Sequence, residues 1–225
     1  MIGVIIQARM GSNRLPGKIL MRIGEKRLLE HILYRLSFLE HAASIVVATT
    51  VNPLDDPVEE FCHRSQVTCF RGSEENVLQR YCLAAQAGGF SHVVRLTGDN
   101  PFVDIAELDR LIDLHLCANA DYSSCVECLP VGVGAEIFTF AALQDSLEHA
   151  SAPHHFEHVN EYLLENKEQF RIACLEIPAA KRSSARLTVD TETDYRRACF
   201  IATHAVTDPI CCVEAIQLAE RFEFP

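Results

Sequence analysis

Short, almost purely apolar runs recur between segments of helical periodicity, and this alternation constrains the fold more than any other feature of the chain. Residues 3–7 precede a helical pattern at 28–39, 44–49 precede 57–64, 66–70 precede 74–87, and 92–96 precede 105–117. Val4-Ile5-Ile6 and Ile45-Val46-Val47-Ala48 show no polar alternation, which suits strands covered by helices on both faces. Strand then helix, repeated with short links, predicts an α/β fold built on a doubly wound, mostly parallel sheet in three Rossmann-like layers. Ser73, with Glu74 and Glu75 in a first turn, is expected to open the third helix, and Gly88-Gly89 to close it.

After about residue 120 the rhythm changes. Strands are expected at 121–126, 135–140 and 171–177, helices at 141–150 and 156–166, then a short strand at 186–189 and helices at 192–204 and 213–222. There is no internal repeat and no Gly/Ser linker, so residues 1–225 read as a single domain, with 127–180 an inserted β/α elaboration. A chain of 225 residues can bury a real core, and no run approaches the ~20 apolar residues of a membrane span. The opening apolar stretch has no basic residues before it and reads as a strand, not a secretory signal. Ten cysteines scattered among apolar runs are then expected to be reduced, buried thiols of a cytoplasmic protein. Cys125 and Cys128 followed by His154 and His158 make a poor zinc pattern, because 25 residues separate the pairs.

The net charge of −11 argues against a nucleic-acid partner, which calls for a basic face. That charge is unevenly placed. The first 24 residues carry Arg9, Arg14, Lys18 and Arg22 with no acid, so they hold +4 and the remainder −15. Ala8-Arg9-Met10-Gly11-Ser12-Asn13-Arg14-Leu15-Pro16-Gly17-Lys18 is a loop at the carboxyl end of the first strand, where open α/β sheets bind ligands. Glycine-bearing and cationic, it suits a polyphosphate. It is neither a P-loop, since five residues separate Gly11 from Gly17 and Ile19 follows Lys18, nor a dinucleotide Gly-x-Gly-x-x-Gly turn.

Arg95-Leu96-Thr97-Gly98-Asp99-Asn100-Pro101 follows the fourth strand directly and brings Asp99 to the same rim. Arg186-Leu187-Thr188-Val189-Asp190-Thr191 ends another apolar run with a carboxylate. Two carboxylates delivered to one rim are what a hard divalent cation between phosphate oxygens needs.

The stretch from Ile5 to Lys18 resembles the opening signature of the cytidylyltransferases related to spore coat polysaccharide biosynthesis protein F. These belong with the acylneuraminate and 3-deoxy-manno-octulosonate cytidylyltransferases in the nucleotide-diphospho-sugar transferase superfamily. The likeness continues through Arg95–Pro101, His155-Phe156-Glu157-His158-Val159 and Arg186–Tyr195. It implies transfer of CMP from CTP to an acidic or modified sugar, with release of pyrophosphate, for a surface polysaccharide or glycan. It further implies catalytic roles for Arg9, Arg14, Lys18 and Asp99, and nucleotide contacts from Gln7, Ala8, Arg9, Gly11, Ser12, Arg14, Lys18, Arg95, Thr97 and Gly98. By the same likeness, Asp99 and Asp190 would hold Mg²⁺, and Glu136, His155, Glu157 and His158 would face the sugar. Gly134 stands where an acidic residue is expected. A homodimer contact through 127–180 is also implied. Cytosine over uracil rests on the resemblance alone.

Two other classes compete. A metal-dependent glycosyltransferase usually carries Asp-x-Asp, and no two aspartates here stand two apart. A non-catalytic nucleotide-binding remnant would have had no reason to keep the basic loop and both rim aspartates.

Overall fold

The computed structural model describes residues 1–223. The first half runs β1 (Ile2–Gln7), a two-strand ribbon of β2 (Arg22–Ile23) and β3 (Lys26–Arg27), α1 (Leu28–Leu36), β4 (Ala43–Thr50) and α2 (Asp56–Arg64). It continues with β5 (Thr68–Gly72), α3 (Val77–Gly88), β6 (His92–Thr97) and α4 (Ile105–Cys117). The second half adds β7 (Tyr122–Ser124), β8 (Glu136–Thr139), α5 (Phe140–His149), α6 (Pro153–Glu157) and α7 (Glu161–Glu165). It ends with β9 (Ile172–Cys174), α8 (Glu192–His204) and α9 (Cys212–Glu220).

The main sheet has the order β5-β4-β1-β6-β8-β7-β9. Pairing is parallel from β5 through β6 and again between β7 and β9, and β8 runs antiparallel to both neighbours. This is the mostly parallel, helix-covered sheet expected from the alternation. Both faces of the central strand are buried: Val4 and Ile6 pack on the side of α1, α2 and α4, Ile5 on the side of α3 and α5. No helix of the described residues is long and apolar enough to cross a membrane.

Three local readings are corrected. The third helix begins at Val77 with Asn76 as its cap, because Ser73 Oγ accepts the Asn76 N–H at 3.0 Å and folds residues 73–76 into a turn before it. The helix expected at 156–166 is two short helices, and the chain is extended at His158 between them. That break lets Val159 and Leu163 fill the core while Asn160 Nδ2 donates to Glu136 at 2.7 Å. Residues 186–189 form no strand of the sheet. The slot beside β7 is taken by β9, and the segment instead crosses Gly132, at φ 96°, where a Cβ would lie 2.5 Å from the Thr188 nitrogen.

One histidine pair, His115 buried and His92 half-buried, makes the fold sensitive to acid. His115 Nδ1 lies 2.8 Å from Ser123 Oγ and its Nε2 lies 3.1 Å from His92 Nδ1, with His115 1% exposed. Burial, followed by the charge of His92, pushes His115 down to about 4. Between pH 6.5 and 4 the unfolded chain binds a proton that the folded chain refuses, so this contribution is complete above pH 6.5 and is lost as pH falls. A shift of that size corresponds to about 3 kcal/mol. Thermal midpoints recorded from pH 7.5 to 4.5 are expected to fall, and His115→Gln to flatten the fall; equal slopes in both proteins would remove His115 as the cause.

Candidate active site

At the carboxyl edge of β1 and β6 lies a cleft of about 320 Å³. Its wall includes Gln7, Ala8, Arg9, Gly11, Ser12, Arg14 and Lys18 from the basic loop, and Thr97, Gly98 and Asp99 from the turn after β6. Asp190, Glu157 and His158 complete it from later in the chain, and Val77 and Arg80 from α3.

The loop is held by main-chain bonds at Met10. Its carbonyl accepts from Ser12 N at 2.9 Å and Gly17 N at 3.0 Å, and its N–H donates to the buried Asp55 carboxylate at 2.6 Å. Asp55 also accepts from the Thr50 N–H and hydroxyl, so the loop is tied to the end of β4. Ser12 thus has its N–H committed within the loop and offers its hydroxyl, which accepts from Leu15 N at 3.3 Å. Gly98 donates to Gln7 O at 2.7 Å, and a Cβ on it would meet that oxygen and Ala8 Cβ, each at 2.9 Å. Only glycine lets the two strand ends approach this closely.

Lys18 gathers the acids. Its Nζ donates to Asp99 Oδ2 at 2.8 Å and to Asp190 Oδ1 at 2.9 Å, and Arg14 Nη2 reaches the same Asp190 oxygen at 3.0 Å. Thr97 Oγ1 fixes the other Asp99 oxygen at 2.6 Å. Residues 99 and 190 come together because Val189 N donates to Asp99 O at 2.9 Å, and Asp194 accepts the N–H groups of Asp190 and Thr191. Arg186 also pairs with Asp190. On the other side of the turn, the buried Arg35 donates to Pro101 O, Val103 O and Ile210 O, which braces the chain just past Asp99.

Three residues of the expected set are sited differently: Arg95, Glu136 and His155 lie outside the cleft wall, whereas Ala8 lines it with backbone and methyl. Arg95 pairs with Glu136, which also accepts from Tyr122 OH and Asn160 Nδ2. Burial alone would lower the Arg95 guanidinium, but the charge and hydrogen bond of Glu136 reverse this and leave it raised. The pair is enclosed under the sheet end because β6 and β8 put residues 95 and 136 opposite each other. His155 Nε2 sits 2.8 Å from Glu165, beside the His154 contact at 2.7 Å. Those three side chains could ligate a metal by proximity. His155 Nδ1, however, accepts from Ser151 N and Ala152 N, so its neutral ring carries the proton on Nε2, the atom facing Glu165.

Asp55, Arg80 and Asp194 escaped the sequence reading. Arg80 had a signal: it is a cation among the buried face of α3, between Val77 and Ala84. Burial lowers its guanidinium from the ordinary value, and Arg9 adds to that. Asp55 in Leu54-Asp55-Asp56-Pro57 looks like any helix start, and Asp194 like any capping-box acid.

The cleft thus sets a cationic loop against two carboxylates at the carboxyl edge of a mostly parallel sheet, an arrangement suited to a polyphosphate. The sequence profile of the cytidylyltransferase family matches residues 3–206, and the chain belongs to that family. The spore coat polysaccharide biosynthesis protein SpsF of Bacillus subtilis is 39% identical over 197 residues, covering 85% of this chain and 82% of the relative. A cytidylyltransferase structure from Leptospira borgpetersenii superposes with a TM-score of 0.91 at 33% identity, over 98% of this chain and 94% of that one. A structure of CMP:2-keto-3-deoxy-manno-octonic acid synthetase complexed with CTP has a TM-score of 0.69 at 17% identity, over 88% and 96% of the two chains, a likeness of fold.

Proposed function

We propose that the protein transfers a cytidylyl group from CTP to an oxygen of an acidic or modified sugar, forming a CMP-sugar and pyrophosphate. One observation carries this: Asp99 and Asp190, 91 residues apart in sequence, converge on the ammonium of Lys18 at the foot of a loop that has cations and no acid. The sugar oxygen forms a bond to the α-phosphorus as the bond to the bridging oxygen of the β-phosphate breaks. Arg9 and Arg14, whose side chains are about half exposed and line the cleft, would bind the triphosphate. Two of the three N–H donors of Lys18 are engaged by the aspartates, which leaves one for a phosphate oxygen. Charge on the departing pyrophosphate is thereby met by fixed cations, and positioning carries much of the rate.

The donors also suit Mg²⁺. Asp99 and Asp190 are hard oxygen ligands from two segments, and Mg²⁺ is commonly held by one or two carboxylates together with substrate phosphates. When bound, the ion would neutralise phosphate charge at the reacting end. Glu157 and His158 form the wall nearest the break after α6 and would contact the acceptor. The name of the Bacillus relative supports a sugar destined for a surface polysaccharide.

Thermal midpoints with CTP, a CMP-sugar or a UDP-sugar, each with Mg²⁺, test the reading. CTP is expected to raise the midpoint; a ligand at 100 times its Kd adds about 2.7 kcal/mol to stability. A rise only with a sugar-nucleotide would favour glycosyl transfer, and no rise with any of them would favour a site that has lost its ligand.

A further inference from the structure

Two thiols meet outside the cleft wall, at the outer edge of the sheet. Cys62 lies in the last turn of α2 and is fully buried, and Cys69 lies on β5, half-buried. β5 is the outer strand and pairs with β4. That pairing sets Cys69 opposite Val47, and both belong to the core face that holds Cys62, whereas Phe70 belongs to the other face. Alternation along β5 therefore sends the Cys69 side chain toward α2.

The chain between them is fixed. Val67 N donates to Cys62 O at 3.0 Å and Gln66 N to His63 O at 3.3 Å, a helix-ending pair of bonds that needs a left-handed residue, here Gln66 at φ 56°. The turn brings β5 back along the end of α2, so backbone bonds hold the two sulfurs together. The Cys62 thiol donates to the Cys69 sulfur, which with burial raises Cys62 and lowers Cys69 from the ordinary thiol value. Arg71 on the same strand adds to the lowering, against burial and the charge of Glu59. Cys82, Cys125 and Cys212 are of another kind, because burial pushes each up to about 12, where a thiol is a poor nucleophile.

We propose that Cys62 and Cys69 form a dithiol modification site, oxidised reversibly to a disulfide by hydrogen peroxide. Cys69, as thiolate, attacks one peroxide oxygen and the O–O bond breaks; the hydroxide that leaves takes up the proton Cys69 gave up and becomes water. Cys62 sulfur then attacks the sulfenic acid on Cys69, forming the S–S bond as the S–O bond breaks, and the Cys62 proton leaves with the oxygen as a second water. Two electrons pass from the thiols to the peroxide, and a thiol reductant returns them. The bridge ties the outer strand to the end of α2. This site is independent of what the cleft binds.

The experiment treats the native full-length protein with hydrogen peroxide, alkylates the remaining thiols and reads the tryptic digest by mass spectrometry before and after reduction. Trypsin cuts after Arg64, so the peptides 36–64 and 65–71, each with one cysteine, stay joined only through the bridge. The joined pair is expected at about ten times the abundance of any other cysteine pair, and reduction is expected to part it. Cys62→Ala is expected to leave Cys69 as a sulfenic acid that dimedone traps, and Cys69→Ala to leave Cys62 unoxidised. Should either variant fail to fold, the wild-type digest decides. A joined pair that forms only after unfolding in urea, no joined pair at all, or disulfides spread evenly over the ten cysteines overturns the proposal.

Discussion

Asp99→Asn is expected to lower pyrophosphate release from CTP by roughly 10²–10³-fold, the loss typical of removing one preorganised electrostatic group from a transition state. The fold should scarcely notice. Asparagine still offers an oxygen to Thr97 or to Lys18, and Lys18 keeps its bond to Asp190. One hydrogen bond is lost, about 1 kcal/mol, which in a chain of this length moves the thermal midpoint by roughly 2–4 °C. Arg14→Ala should behave likewise, because its ion pair with Asp190 is 61% exposed on the arginine side and such pairs add little stability. A coupled assay for pyrophosphate, read beside a thermal melt, separates the outcomes. Near-normal turnover in either variant would show that the reaction takes place elsewhere.

Glu136→Ala is expected to have the opposite profile, a large loss of stability. Arg95 would remain as a buried cation without its carboxylate, and Tyr122 and Asn160 would lose their acceptor. Breaking a buried pair by removing one partner costs about 3–5 kcal/mol, corresponding to a midpoint lower by roughly 10 °C. Replacing both ends, as in Arg95→Met with Glu136→Leu, should recover most of the loss, since no unpaired charge is then left inside. Should Glu136→Ala melt like wild type while raising the KM for the sugar, Glu136 would be an acceptor contact after all.

These two carboxylates show how far sequence reading reaches. Asp99 and Glu136 both follow or begin apolar strands, and both are expected at the site from the sequence. Strand pairing sends Glu136 against Arg95 beneath the sheet end, whereas Gly98 turns Asp99 outward over the cleft. Local pattern cannot distinguish them, because the difference lies in which strand becomes the neighbour. Asp55 is similar: its work is to hold the Met10 N–H, 45 residues away. The helix start at Asn76 and the break at His158 differ from the expected bounds, the first because Ser73 and Asn76 make local turn and cap bonds and the second because Asn160 reaches across to Glu136.

Residues close in the chain determined what was legible from sequence alone: the alternation that builds a parallel, doubly covered sheet, and the acid-free loop with its cations. Apolar periodicity and charge act over a few residues and are written where they act. The meeting of Lys18 with Asp99 and Asp190, the burial of Arg95 with Glu136 and the place of Arg80 in the cleft wall were decided by tertiary structure. Each depends on how β8, the 186–190 segment and α3 are carried to the edge of β1 and β6, and that path follows from packing the whole core.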